Sequence, residues 1–275
     1  MMQYMYITND PQLAKIIVQE GVQRIFIDWE VLGKQERQGH LDTVMSKHTY
    51  EDAVLMRKAV PEAELMVRLN PMHEGTAKEV EKAISAGADL LMLPMFYSVE
   101  EVRTLSEMVD GRVGIVPLFE TPESLRCVES IAALPSIHEI YIGLNDLHLA
   151  LGLDFMFEPL VSGMLDDASA CAKKAGLRFG FGGVARADEG DVSGAMVLGE
   201  HLRLGSNSVI LSRTFYRADE DKESAGQVFQ RELKKLRNAE ETLKMRDKER
   251  QGEDFERFAG AVMKVVALKR EKQAC

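Results

Sequence analysis

Eight short apolar runs, each followed by a polar or amphipathic stretch, recur along the chain at 4–7, 24–28, 64–69, 90–93, 113–119, 140–142, 179–181 and 208–211. They are too short for helices and almost wholly apolar, as strands covered on both faces should be. Between them a helical period recurs at 10–20, 50–60, 75–86, 99–109 and 158–175, with a helical turn at 196–199. Asp10-Pro11 has the form of a helix start and Gly21 that of a stop. Strand and helix in regular alternation predict an α/β fold, a (β/α)₈ TIM barrel. A doubly wound open sheet would carry a Gly-x-Gly-x-x-Gly turn after its first strand, and Ile7-Thr8-Asn9-Asp10 has none.

Barrels of this kind place their chemistry at the carboxyl ends of the strands. The residues to examine are therefore Glu30, Arg68, Pro94, Glu120, Asp146, Gly182-Gly183, and Ser206 with its strand. Glu120 directly follows the apolar run 113–119, and Thr121, Pro122 and Glu123 then read as an N-cap, a first-turn proline and an acid matched to the helix dipole. Gly143 ends the run 140–142, and Asn145-Asp146 opens the next helix. Two carboxylates on one rim suit a hard divalent cation, which takes oxygen ligands and leaves its other positions to water and substrate. The plainer alternative is an exposed loop acid and a second helix cap.

Arg68 ends the third strand on a face that otherwise favours branched apolar residues. Its guanidinium suits a carboxylate or an enolate oxygen, and equally a structural salt bridge to Glu30 or Glu120. The longest connection, 31–49, carries Lys34, Arg37, His40 and His48 and is a candidate lid or a solvated surface loop. Gly182-Gly183 allows backbone N–H groups to approach an anionic substrate, or simply a tight turn out of a strand.

A chain of 275 residues, 45% hydrophobic and 28% charged, is long enough for one large globular domain. No run of about 18 apolar residues is present, and the start MMQYMYITND lacks a signal-peptide layout, so a cytoplasmic protein without membrane contact is expected. Cys127, Cys171 and Cys275 are far apart and in no Cys-x-x-Cys pattern, which argues against a zinc knuckle or a disulfide framework. Residues 219–275 hold 14 basic and 13 acidic residues, leaving 20 and 31 for the first 218, so the body carries −11 and the tail +1. A nucleic-acid-binding surface is not expected.

The quoted strand ends also carry a resemblance. Leu118-Phe119-Glu120-Thr121-Pro122-Glu123 and Ile142-Gly143-Leu144-Asn145-Asp146-Leu147, with Val67-Arg68-Leu69-Asn70 upstream, resemble the HpcH/HpaI aldolase and citrate lyase beta-chain family from about residue 7 to about residue 215. The resemblance implies metal ligation by Glu120 and Asp146, with magnesium foremost and manganese or cobalt as alternatives. It also implies that backbone amides at Asn145-Asp146 receive the carboxylate of a 2-oxo acid, in keeping with anion binding at a helix start. One branch of that family carries Asp-x-Glu-His after the second strand, with the histidine as base, and a citrate lyase-like branch carries Leu-Glu-Asp. Here the sequence is Asp28-Trp29-Glu30-Val31, and valine moves no proton. Glu30 is then expected to orient a metal-bound water. The base falls to His40, with His48 and the water itself as rivals.

Beyond Phe215 the character changes. Val228, Phe229, Leu233, Leu236 and Leu243 mark one amphipathic helix, Gln251-Gly252 a break, and Phe255, Phe258, Val262, Val265 and Val266 a second. The division expected is a catalytic barrel over 1–218 and a helical extension over 219–275. Because the barrel already has its helices and the family resembled is oligomeric, the extension is expected to hold a homo-oligomer partly together; the alternative is a charged, partly frayed tail that closes the bottom of its own barrel.

Overall fold

A strand's side chains alternate between its two faces, and in a closed barrel this sorts them into an inner stack and an outer layer. The computed structural model describes residues 2–34 and 46–274. Its strands are β1 (Gln3–Ile7), β2 (Arg24–Asp28), β3 (Glu64–Arg68), β4 (Leu90–Leu93), β5 (Gly114–Phe119), β6 (Glu139–Ile142), β7 (Arg178–Val184) and β8 (Ser208–Leu211). They pair in parallel and in sequence order, and β8 closes on β1. The TIM barrel expected from the alternation is the fold observed.

The inner stack has three levels. Arg24, Glu64 and Glu139 begin their strands and form an ionic plug, with Arg24 Nε 2.6 Å from Glu64 and Arg24 Nη2 2.8 Å from Glu139. Above it Met5, Phe26, Met66, Leu90, Met92, Val116, Leu118 and Tyr141 fill the barrel with apolar side chains. The next inward positions on β2, β3 and the end of β5 are Asp28, Arg68 and Glu120, so one register puts all three at the carboxyl rim. The outward set, including Ile25, Ile27, Leu65, Val67, Leu91 and Phe119, packs against the surrounding helices.

Those helices are α1 (Pro11–Gln19), α2 (Tyr50–Ala59), α3 (Thr76–Ser85), α4 (Val99–Val109), α5 (Pro122–Arg126), α6 (Val128–Ala132), α7 (Leu144–Ala150), α8 (Glu158–Val161), α9 (Asp166–Ala175) and α10 (Gly194–Arg203). Asp10 caps α1, and capping boxes at Thr49 and Ser98 start α2 and α4. Each such cap stabilises its helix by about 1 kcal/mol. Two expectations are corrected here. The single helix over 158–175 is broken into α8 and α9, because Gly163 takes a left-handed φ of 75°. The turn at 196–199 is the middle of a full helix, α10, capped by Ser193; Gly194 and Gly199 hid it. Gly194 is required there, since a Cβ would lie 2.4 Å from the Ala185 carbonyl oxygen.

Ser206 also moves. It precedes β8 and hydrogen-bonds His201 Nδ1 at 2.7 Å, so it lies at the amino end of its strand and not on the functional rim. The residues at the carboxyl end of β8 are Ser212 and Arg213.

After the barrel, α11 (Ala225–Lys244) buries Val228, Phe229, Leu233 and Leu236 and packs against α1 and α10. The last helix, α12 (Lys248–Ala274), buries Phe258, Val262 and Val266 and packs against α10 and α8. The apolar stripes are therefore covered within the chain. The break between these helices falls at 245–247 and not at Gln251-Gly252. Asp247 accepts from Arg250 N at 2.9 Å and starts the new helix, while Gly252 sits in open space inside it at a cost of about 1 kcal/mol relative to alanine. Among the described residues no helix is long and apolar enough to cross a membrane.

Candidate active site

The carboxyl rim is built around Asp28, which is fully buried. A bare carboxylate there would lose several kcal/mol of solvation, so its oxygens must be met by cations. Arg68 meets both: Nε lies 2.9 Å from Oδ1 and Nη2 2.9 Å from Oδ2. Lys34 Nζ adds a third contact at 2.7 Å from Oδ2. Burial alone would push the Asp28 carboxyl up, but Arg68 and Lys34 outweigh it and hold the group well below the usual carboxylate range. For Arg68 burial acts to lower, and Asp28 and Glu30 more than offset it, so the guanidinium stays firmly charged. Strand register explains the pairing, since Asp28 and Arg68 are direct partners across β2 and β3.

Glu30 turns into the same cluster, with Oε2 3.3 Å from Arg68 Nε and 3.6 Å from Lys34 Nζ. Its amide donates to Asp28 Oδ1 at 3.2 Å. Arg68 also lies over the Phe26 ring, 5.4 Å from the centroid, so the apolar layer beneath supports the guanidinium.

Glu120 and Asp146 sit on the facing side of the rim, at 3% and 8% exposure. Asp146 lies in the first turn of α7, and Glu120 accepts from the Met95 amide at 3.2 Å. Gly143 is what lets them share space, because a Cβ there would stand 2.7 Å from Glu120 Oε1. Burial first, then Asp146 and Glu30, push the Glu120 carboxyl well above its ordinary value, with Arg68 and the Met95 amide acting the other way. Two carboxylates held together out of water repel unless a proton or a cation lies between them. The residues present therefore fit a hard divalent ion, and oxygen is the donor such an ion takes. Among the described residues no group of three or more His, Cys, Asp or Glu side chains stands close enough to hold a metal. Among the described residues Glu120 and Asp146 would hold the ion, with water and substrate completing its coordination sphere.

Of the residues expected from sequence, Arg68, Glu30, Glu120 and Asp146 meet on this rim. Asn145 lies beside Asp146 in the first turn of α7. Gly182 and Gly183 lie at the end of β7, where the ladder to β8 shifts register between Gly180 and Gly183. Gly182 takes a left-handed φ of 47°, and Tyr141 Oη donates to its carbonyl at 2.8 Å while accepting from Ile210 N at 3.0 Å. That strand geometry by itself requires glycine. His40 and Arg37, with most of the candidate lid, lie outside the described residues. His48 is placed beside Asp28, but its Nδ1 accepts the Asp28 amide at 3.1 Å. A neutral imidazole so engaged carries its proton on Nε2 and has no lone pair left for a base.

The sequence reading named Asp28 only within Asp28-Trp29-Glu30-Val31 and Lys34 only as a charge of the loop, and missed that both belong to this cluster. Period-two counting from Phe26 would have put Asp28 on the inner face opposite Arg68. Nothing local marks Lys34 as buried.

Comparison with known proteins gives the family and supports the fold. A profile of the HpcH/HpaI aldolase/citrate lyase family matches residues 8–203. The chain belongs to that family. A solved HpcH/HpaI aldolase from Desulfitobacterium hafniense DCB-2 superposes with a TM-score of 0.60 at 16% identity, over 77% of this chain and 86% of that one. A family protein from Burkholderia cenocepacia J2315 gives 0.58 at 17% identity, over 88% and 95%. Citrate synthase SbnG gives 0.58 at 16%, over 88% and 94%. At such identities the likeness carries the fold. No curated protein matches the chain in sequence. The family and its solved neighbours are enzymes of carbon–carbon bond chemistry, and this HpcH/HpaI member is accordingly read as an enzyme.

Replacing Asp28 with Asn keeps the shape and removes the charge that both cations share. Asp28→Asn should destabilise the protein by about 3 kcal/mol, read as a lower urea midpoint. The carboxyl is depressed in the folded state, so its contribution is complete above an unfolded value of about 3.9 and is lost as pH falls through the lower folded value. The gap between wild type and variant should be constant from pH 5 to 8 and shrink only below about pH 4.

Proposed function

We propose that this family member is a divalent-metal-dependent carbon–carbon lyase, working by aldol and retro-aldol chemistry on a 2-oxo acid such as pyruvate or oxaloacetate. The observation that carries the reading is the facing of two buried acidic side chains, Glu120 and Asp146, by a guanidinium locked in place. Glu120 and Asp146 would hold a divalent ion, magnesium first, which would supply positive charge for the ketone and carboxylate oxygens of the substrate. The chain's own residues do the rest. Arg68 faces Glu30 and Glu120 and offers charge to the oxygen on which an enolate develops. Asp28 keeps that guanidinium from swinging, so no reorganisation is needed as charge appears. Amides at the start of α7, at Asn145-Asp146, and beside Gly182-Gly183 would receive the substrate anions.

A second reading, citrate lyase-like cleavage of an acyl thioester, uses the same enolate and is supported by the likeness to citrate synthase SbnG in fold. Turnover of a coenzyme A thioester in place of a free 2-oxo acid separates the two. A third, a metal- and oxo-acid-binding protein without turnover, is suggested by Val31 and excluded by any exchange of substrate protons.

Metal binding is measured first. Glu120→Ala or Asp146→Ala should abolish magnesium binding in calorimetry while the circular dichroism spectrum stays that of wild type, because rim residues contribute little to a barrel core. Unchanged affinity in both variants ends the metal assignment.

Enolate formation is measured alone, as magnesium-dependent deuterium uptake into pyruvate. Arg68→Ala should slow it roughly a hundredfold or more. His40→Ala in the same assay should cost at least about a hundredfold if His40 takes the proton, and almost nothing otherwise. Uptake that Arg68→Ala leaves untouched removes Arg68 from the mechanism.

Assembly remains a separate proposal, a homo-oligomer. Leu55, Met263 and Leu268 keep half of their surface exposed on helices around the barrel, where a second copy would cover them. Light scattering at micromolar concentration should give a mass at least twice the chain's 30.8 kDa, and a value equal to it refutes the proposal.

A further inference from the structure

Val31 stands where the proton-transferring residue of the Asp-x-Glu-His pattern would be, and it points outward at 58% exposure. The same turn of backbone that carries Val31 out carries Lys34 in. Asn70 fixes the turn: its Oδ1 accepts from Val31 N at 2.8 Å and from Leu32 N at 2.9 Å. Asn70 is fixed in turn by Glu79, which accepts from its backbone amide at 3.1 Å and from its side-chain amide. At the end of this clamp Lys34 is 4% exposed, with Nζ 2.7 Å from Asp28 and 3.6 Å from Glu30.

A lysine in a polar loop normally keeps its ammonium in water, and burying it needs a partner. Here the partner is Asp28, which Arg68 already neutralises with two hydrogen bonds. A second cation on one carboxylate adds less to stability than the first, and its remaining N–H groups are left to point elsewhere. Of the described side chains that pair with Asp28, Arg68 cannot give up a proton, whereas an amine can. The charged and titratable groups around Lys34 are Asp28 and Glu30 from the end of β2 and Arg68 from β3, with His48 and Arg213 acting on the same Asp28 charge.

Resting on the carbon–carbon lyase reading, we infer that Lys34 is the proton donor to the electrophile's carbonyl oxygen in bond formation, and the acceptor of that proton in cleavage. In the forward direction the enolate π pair forms the new carbon–carbon bond and the electrophile's C=O π pair moves to oxygen. One N–H bond of Lys34 breaks, its proton goes to that oxygen as a hydroxyl, and the electron pair stays on nitrogen. The neutral amine regains a proton from solvent water before the next turnover. Lys34 thus supplies, from three residues further along and from inside the rim, a transferable proton that Val31 cannot.

The test uses the full chain with magnesium, pyruvate and glycolaldehyde, comparing Lys34→Met and Lys34→Arg with wild type. Arg keeps the ion pair to Asp28 and releases no proton, and both variants leave Asp28 paired with Arg68, so the fold is retained. Carbon–carbon bond formation should fall roughly a hundredfold or more in both variants. Deuterium uptake into pyruvate needs no electrophile and should fall by less than about tenfold. Near wild-type bond formation in Lys34→Arg makes the residue an ion-pair partner only and overturns the assignment. An equal loss of uptake and bond formation places Lys34 before the enolate and also overturns it. Wild type that shows no metal-dependent uptake refutes the lyase reading itself, a result distinct from either.

Discussion

One buried carboxylate, Asp28, sets the terms for this rim. Inside a low-dielectric barrel mouth it requires positive charge on both oxygens, and Arg68 and Lys34 provide it. In meeting that demand they lose their own freedom. Arg68 is held over Phe26 and against Glu30, and Lys34 is drawn out of its loop into the site. The cluster is preorganised because each member would be costly to bury without the others.

The inner face of the barrel is economical in the same way. On β2 the residues Arg24, Phe26 and Asp28 occupy three successive inward positions, and on β3 Glu64, Met66 and Arg68 do the same. The lowest pair plugs the barrel, the middle pair belongs to its apolar filling, and the top pair builds the site. Charge at the two ends and hydrocarbon between them is what strand periodicity yields when only the ends have access to counter-charge or water. The plug also explains why Glu139 opens β6 although it is acidic: Arg24 neutralises it.

Across the rim the balance is reversed. Glu120 is buried beside Asp146 and Glu30, and burial together with those carboxylates pushes its carboxyl up instead of down. Like charges brought together out of water are an unfavourable element, and such elements concentrate where binding relieves them. Gly143 is the local device that makes this crowding sterically allowed.

The sequence by itself determined the barrel, because strand and helix periods arise from bonded geometry over a few residues. It also determined that Glu120 and Arg68 stand at the ends of their strands, since an apolar run that stops at a charge marks its own end, and that Asp146 opens the helix after the next strand. Glycine breaks were less legible: Gly163 splits a helix and Gly252 does not, and the difference lies in a left-handed φ at one and a plain exposed turn at the other. What only the tertiary structure decided is which charges meet. Asp28 and Arg68 are 40 residues apart, and Asn70 must reach back to Val31 and Leu32 before Lys34 can turn inward. No local pattern encodes those distances. They exist once the barrel has closed, because burial then removes water and leaves each charge only the partners that the strand register brings within reach.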